Sequence, residues 1–461
     1  MSEKINSFLD AVCGHVKCKS VHKDIRDELT SHINELKDTY LQETQDEEGA
    51  LEMAISAMGD CEKIGKHLDK QHRPQTEWSL VGLTAFIALI GGTVTFMSRS
   101  WERTPVNFSR YSVCVIIGIV VMIGLTFFDY TKLKKLSWPT YLSALSILAV
   151  VLFQGTRLNG VVRFIWIGGS AISVDFTTLL FLAAFAGFVD KSRGTGITAI
   201  IKLSVIALIS VIPVVMQPNI LQALILLLGY SVLITGAIIK NHFGGSKRQQ
   251  AVLFGAIICF GGLLSFGFLF SDMYRTERLN HWLSIFTSRG QLDPIGMGYQ
   301  QVVADKLMSS SSIFGAAAEN KWLMPNLTTD YALVNVFATL GRISGFVLIL
   351  AVAVYIFRMF MTTRKIKSNY GFYLSLGACT VLSAQFLTGI LVNFNLLPPA
   401  STYIPFISYG GVGYIVSMAF IGLMLSAWRR NNLLPSEPKN VTASASNFIK
   451  IEDGKLIISY R

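Results

Sequence analysis

The stretch ITAIIKLSVIALISVIPVVMQPNILQALILLLGYSVLITGAII, residues 197–239, carries a single charged side chain, Lys202. It divides at Pro213 and Pro218 into two apolar runs, each close to the ~20 residues that cross a bilayer as a helix. Blocks of this kind recur along the chain, which is 51% hydrophobic and only 15% charged over 461 residues. A soluble protein of that size needs far more polar surface. The composition therefore specifies a polytopic, all-α membrane protein.

Ten spans can be laid out, at about 79–98, 111–128, 138–153, 174–189, 197–215, 219–239, 250–270, 332–357, 371–396 and 403–427. Lys and Arg favour cytoplasmic connections. With the N-terminus inside, the inner connections hold Lys132, Lys134, Lys135, Lys191, Arg193, Lys240, Lys247, Arg248, Arg358, Arg364, Lys365, Lys367, Arg429 and Arg430. The short outer ones hold only Arg99, Arg103, Arg110, Arg157 and Arg163. Both termini are thus expected in the cytoplasm, with multi-pass insertion in the membrane. Residues 271–331 form one long outward-facing loop, too long for a passive connection.

Three divisions follow: a helical head over 1–75, a membrane body over 76–430 and a polar tail over 431–461. The head is acidic, with 10 basic and 15 acidic residues, whereas the rest of the chain holds 30 basic and 14 acidic residues. That basic body is matched to topology and anionic lipid rather than to nucleic acid. The opening MSEKINSFLD has neither the charged start nor the apolar core of a signal peptide.

In the head, Val21, Ile25, Leu29, Ile33, Leu36 and Tyr40 recur at helical spacing, with Ser20 as the expected N-cap. Cys13, His15, Cys18 and His22 invite a zinc reading, but their spacing is not a common structural-zinc pattern, and Cys13 falls near an apolar stripe. Residues 54–74, AISAMGDCEKIGKHLDKQHRP, resemble the prefix domain of some bacterial permeases, which implies a docking or regulatory role.

Acids inside spans would mark an ion-coupled transporter. None lies centrally in a span here; they gather on the outer side, at Glu102, Asp175, Asp272, Glu277, Asp293, Asp305, Glu319 and Asp330. Two outer stretches stand out. LMPNLTTDYALVNVFATLG (323–341) sets Asp330 where the long loop re-enters the membrane. YIPFISYGGVGYIV (403–416) opens the last span with proline, polar residues and paired glycine. Each has a structural reading: Asp330 as a carboxylate complementing a helix dipole, and the second stretch as a broken helix start.

Together these stretches resemble the SEDS family, the RodA, FtsW and SpoVE group, over about residues 80–430. The most specific matches are P-x-x-x-T-D at Pro325, Thr329 and Asp330, PFISYGG at Pro405 to Gly411, and Gly298-Tyr299-Gln300. Gln385 and Leu396-Leu397-Pro398 also match, and NGVVRFIWIGG (159–169) is similar to the family's outer G-x-R-R-W segment. The resemblance implies a peptidoglycan glycosyltransferase that polymerises lipid II at the outer face of the bacterial cytoplasmic membrane, in elongation, division or sporulation, with a class B penicillin-binding protein. It assigns Asp330 as the base, and Arg163 and Lys306 as pyrophosphate contacts. Gln300, Gln385, Ser408, Tyr409, Gly410 and Gly411 would line the substrate cavity. No motif demands a cofactor; a divalent cation, Mg or Mn, is compatible with pyrophosphate departure.

The chain also departs from the family pattern. P-S-E-x-x-K becomes Ser173, Val174, Asp175 and Thr178, and Q-P-D-L-G-T becomes Gln217 to Gln222 without its acid. The loop's Gly-rich part reads Ser309 to Ser312, the paired Glu residues become Ala338 and Thr339, and the serine pair after SYGG becomes Val412 and Gly413. These losses favour an alternative, a catalytically weak paralogue that binds lipid II or a partner and regulates envelope synthesis. A lipid-linked precursor transporter is the third reading.

Overall fold

The computed structural model describes residues 2–44, 46–71, 73–99, 106–158, 161–167, 170–217, 220–270, 273–287, 296, 298–315, 324–433, 449–452 and 455–458. The chain divides into two compact units, residues 1–76 with 429–461, and residues 77–428.

The first unit contains α1 (Ser2–Gly14), α2 (His22–Thr44), α3 (Glu47–Met58) and α4 (Cys61–Gln71). Apolar side chains at helical spacing converge on one core that includes Leu9, Val12, Ile25, Ile33, Leu51 and Ala54. Asp46 caps α3, accepting from the Glu48 and Gly49 amides at 3.2 and 3.0 Å. Gly59, at φ 91°, ends it. Helix α2 starts one residue later than the Ser20 cap would set it, because Lys19–Val21 form a 3₁₀ turn. The Ser20 side chain lies outside the described residues. The His22 Nε2 is 2.8 Å from the Val16 carbonyl oxygen, and Cys13 is buried in the core. Among the described residues no group of three His, Cys, Asp or Glu could hold a metal ion.

The second unit contains α5 (Trp78–Ser98), α6 (Phe108–Phe127), α7 (Thr131–Lys135), α8 (Ser137–Gln154), α9 (Thr177–Lys191), α10 (Ile197–Met216), α11 (Ile220–Ile239), α12 (Lys247–Phe270), α13 (Met273–Thr287), α14 (Tyr299–Ser309), α15 (Ala332–Leu340), α16 (Arg342–Arg364), α17 (Asn369–Asn393) and α18 (Gly411–Arg429). Among the described residues eight helices are long and apolar enough to cross a membrane: α5, α6, α8, α10, α11, α16, α17 and α18. Helix α9 is shorter, 15 residues or about 22 Å. It sits deep in the body between α8, α11 and α17, and its Phe185 ring lies 4.1 Å from that of Tyr230 on α11. Helix α6 is the opposite case, with little of it buried and Ile116, Val120 and Ile123 facing outward. Such faces suit lipid.

Between α8 and α9 the chain forms a three-stranded antiparallel sheet, β1 (Thr156–Leu158), β2 (Val161–Ile167) and β3 (Ser170–Ser173), with β2 central. A second hairpin, β4 (Ile449–Glu452) with β5 (Lys455–Ile458), lies in the tail, where the sequence indicates only a polar segment.

Two spans differ from their expected extents. The eighth, expected as one helix over 332–357, is broken at Gly341 into α15 and α16. Gly341 adopts φ 92°, and a Cβ there would lie 2.7 Å from the Ile313 carbonyl oxygen. Backbone from the long loop docks at this joint: Gly315 donates to the Leu340 carbonyl, and Arg342 and Ile343 donate to those of Ser312 and Ile313. The last span starts at Gly411 rather than 403. Before it, Phe406 sits at φ 65°, and the Ser408 hydroxyl and Tyr409 amide bond the loop instead.

Candidate functional site

Thr328, Thr329 and Asp330 end the long loop, and the carbonyl of each is held by a different group. The Tyr409 amide donates to the Thr328 carbonyl at 2.8 Å. The Ser408 hydroxyl donates to that of Thr329 at 2.7 Å, while its oxygen accepts from the Ile404 amide at 2.9 Å. The Asp330 carbonyl receives two donors, Asn393 Nδ2 at 2.9 Å and Thr402 Oγ1 at 3.1 Å. The left-handed Phe406, at φ 65°, and the Tyr409 amide diverted to the loop interrupt the helix before α18, which explains the late start.

This arrangement separates two readings of Asp330. The first-turn amides of α15 at Leu333 and Val334 donate to Asn393 Oδ1, at 3.1 and 3.0 Å. Capping is thus carried by Asn393. The Asp330 carboxylate instead meets the Ser401 hydroxyl at 3.5 Å. Its field reaches Tyr331, whose phenol burial pushes up to about 12; the Asp330 charge adds to that rise, and the Arg278 guanidinium opposes it.

The turn after α17 gathers the loop helices. The Arg278 guanidinium on α13 donates to the Pro399 carbonyl, and Trp282 Nε1 donates to that of Asn395 at 3.2 Å. Asn395, left-handed at φ 57°, donates to the Gln301 carbonyl at 3.3 Å and to Asp305 Oδ1 at 2.8 Å. The shielded side of the Asp305 carboxyl raises its pKa by desolvation, and the Asn395 hydrogen bond offsets part of that rise. On α14, Val303, Ala304 and Leu307 pack with Met324, Leu327 and Tyr331.

Of the expected site residues, the structure brings together Asp330, Ser408 and Tyr409, with Gly410 and Gly411 directly following. Tyr409 also stacks on Tyr111 of α6 at 6.0 Å. Gly410 and Gly413 lie against the Tyr403 ring. Gln300 is half-buried at the start of α14, and Lys306 is exposed on that helix, away from its packed face. Gln385 lies two helical turns, about 12 Å, along α17 from Asn393, so it is not a neighbour of the Asp330 carboxylate. Its Oε1 is buried with no protein hydrogen-bond partner. Arg163 falls on β2, and its side chain lies outside the described residues. Sequence reasoning passed over Asn393, Asn395, Ser401, Thr402 and Trp282. The signal was present: two asparagines ending an apolar span are costly in lipid and need partners.

As chemistry, the site offers one carboxylate on a fixed backbone beside a hydroxyl, at the start of a buried helix. The described residues supply no cage for a metal ion. A hard cation that uses one carboxylate together with substrate phosphates remains compatible with this donor set.

The fold and site define a multi-pass α-helical membrane protein with a broken eighth span whose entry carries the only acid of the clamped segment. The sequence model of the cell cycle protein family FtsW/RodA/SpoVE matches residues 74–433. The chain belongs to this family, whose members sit in the cytoplasmic membrane. Stage V sporulation protein E of Bacillus subtilis is 25% identical over 324 residues, covering 68% of this chain and 84% of the relative. The probable peptidoglycan glycosyltransferase FtsW of Acinetobacter baylyi is 28% identical over 308 residues, covering 63% and 72%. Two solved structures show the same fold. One is a chain from a peptidoglycan synthase complex that coordinates polymerization and crosslinking, with TM-score 0.63, 22% identity, and coverage of 77% of this chain and 98% of that one. The other is the rod shape determining protein RodA of Thermus thermophilus, with TM-score 0.54, 20% identity, and coverage of 77% and 97%.

Proposed function

We propose that this protein is a peptidoglycan glycosyltransferase that polymerises lipid II at the outer face of the cytoplasmic membrane. The observation that carries the reading is Asp330, a carboxylate at the entry of the broken span whose backbone is held on three successive carbonyls. In the reaction Asp330 takes the proton from the 4-hydroxyl of the acceptor GlcNAc as that oxygen bonds to the donor's anomeric carbon. The bond from that carbon to the pyrophosphate breaks, and undecaprenyl pyrophosphate leaves with the electron pair. Cationic groups stabilise the leaving charge; Lys306 and Arg163 are assigned to this role by family resemblance. Gln300, Gln385, Ser408, Tyr409, Gly410 and Gly411 are assigned to the substrate cavity, Ser408 and Tyr409 by holding its wall. When bound, a Mg or Mn ion would be held by Asp330 with the substrate's phosphates and would supply charge neutralisation.

The named relatives support this chemistry, as does the likeness to a chain of a synthase complex. A class B penicillin-binding protein is the partner that the family resemblance implies, and the pairing of polymerization with crosslinking in that complex is in keeping with it. The charge distribution supports both termini in the cytoplasm and the 271–331 loop outside.

A second reading rests on one observation. Thr339, where the family has an acid, donates to Asn335 Oδ1 at 3.0 Å, and Asn335 pairs with Ser98. The neutral network closes without an acid, which favours a lipid II-binding regulator over a polymerase. The test is purified full-length protein with lipid II, with and without a class B penicillin-binding protein. Polymer is expected; binding of lipid II with no polymer under either condition would replace the first reading by the second.

A further inference from the structure

We infer that Asn393 is a positioning residue that fixes the Asp330 backbone, and so its carboxylate, relative to α17. The rate consequence rests on the polymerase reading; the geometric part does not. Asn393 is fully buried at the end of α17, and its amide fills all four of its hydrogen-bonding places. The oxygen accepts from the Leu333 and Val334 amides, and the nitrogen donates to the Asp330 and Gly389 carbonyls, the latter at 2.8 Å.

Only a side-chain amide offers two acceptor lone pairs and two donors on adjacent atoms. A residue that merely ended its helix would need no more than the Gly389 bond, four residues back. The other three bonds span Asp330 to Val334, so one side chain locks both the carbonyl of Asp330 and the first turn of α15. Asp330's carboxylate hangs from the Cα beside that carbonyl. Release of that carbonyl would let the Asp330 Cα shift and carry the carboxylate with it, and a displacement near 1 Å costs about 10²-fold in rate at a site that depends on orientation. Thr402, the second donor to the same carbonyl, shares the task.

Two variants separate positioning from bulk stability. Asn393→Asp keeps the size and the acceptor for Leu333 and Val334 but loses both donors. Thr402→Val removes the second donor with its shape retained, and it keeps the test open if the buried aspartate prevents folding. Each is measured as full-length protein for lipid II polymerisation and for amide hydrogen exchange across 328–334. Positioning predicts kcat lower by about 10- to 100-fold in Asn393→Asp and several-fold in Thr402→Val, with KM within about two-fold of wild type. It also predicts faster exchange at Tyr331, with Leu333 and Val334 still protected in Asn393→Asp. A purely structural Asn393 would raise exchange throughout α15 and lower stability, with no kcat-specific loss. Wild-type kcat together with unchanged exchange at Tyr331 in both variants overturns the inference. If wild type makes no polymer, the polymerase reading has failed, and the exchange at Tyr331 alone decides the clamp.

Discussion

Replacing Gly341 by alanine tests whether the broken eighth span is fixed by backbone geometry. Gly341 sits at φ 92° and ψ 174°, a region that only glycine enters without strain. Forcing another residue there costs about 1–3 kcal/mol. The new Cβ would also lie 2.7 Å from the Ile313 carbonyl oxygen and 2.9 Å from the Phe314 Cα, both backbone atoms. The 312–315 segment must move, and it is tied by hydrogen bonds to Leu340, Arg342 and Ile343 at 3.1, 2.9 and 3.3 Å. Losing one or two of these adds about 1–2 kcal/mol, for a total of about 2–5 kcal/mol. At ~2 °C per kcal/mol for a body of this size, the thermal midpoint should fall by about 4–10 °C. Purified protein in detergent, followed by tryptophan fluorescence on heating, reads this directly. Gly82→Ala is the control, because nothing lies within 4 Å of its Cβ position on α5. A Gly341→Ala midpoint within about 1 °C of wild type would refute the reasoning.

Asp305 provides a pH test. Burial raises its pKa above the ordinary carboxylate value, so the folded state holds the proton more firmly than the unfolded chain. The docking of α14 should be tightest below about pH 4 and weaken as pH rises through the raised pKa. Proteolysis of the loop should follow that trend in wild type and lose it in Asp305→Asn; a pH dependence retained in the variant would exclude Asp305 as its source. Topology is tested by single cysteines in a cysteine-free background. Lys306→Cys should react with a membrane-impermeant thiol reagent in whole cells and Lys134→Cys should not, and the reverse pattern would invert the proposed orientation.

Much of the architecture is legible in the sequence because lipid imposes a simple length rule on apolar runs. The first span, expected at 79–98, is Trp78–Ser98, and the ninth, expected at 371–396, is Asn369–Asn393. What the sequence hides are contacts between distant segments. Gly341 reads as one more small residue in an apolar run, and its break depends on the carbonyl of Ile313, 28 positions earlier. Tyr403 to Gly410 look like the start of a span until the Thr328 and Thr329 carbonyls claim their donors. The three short strands at 156–173 are legible too, since Asn159-Gly160 and Gly168-Gly169 are two-residue hairpin signals between them, but a reading by apolar spans passes over them. At the site, Asp330 is legible as an acid placed at a membrane boundary. Asn393 is legible only as a polar residue that needs a partner, because on sequence grounds a helix-to-helix bond would satisfy it as well as the Asp330 backbone does.

The most direct test of the central claim is polymerisation of lipid II by Asp330→Asn. The amide keeps the size of the side chain and can still hydrogen-bond Ser401, but it cannot accept a proton. A general base contributes ~10²–10⁴-fold in rate. Capping of α15 rests on Asn393 and should be untouched. The account predicts loss of polymer with expression and thermal midpoint close to wild type; polymer formation by Asp330→Asn at the wild-type rate would contradict it.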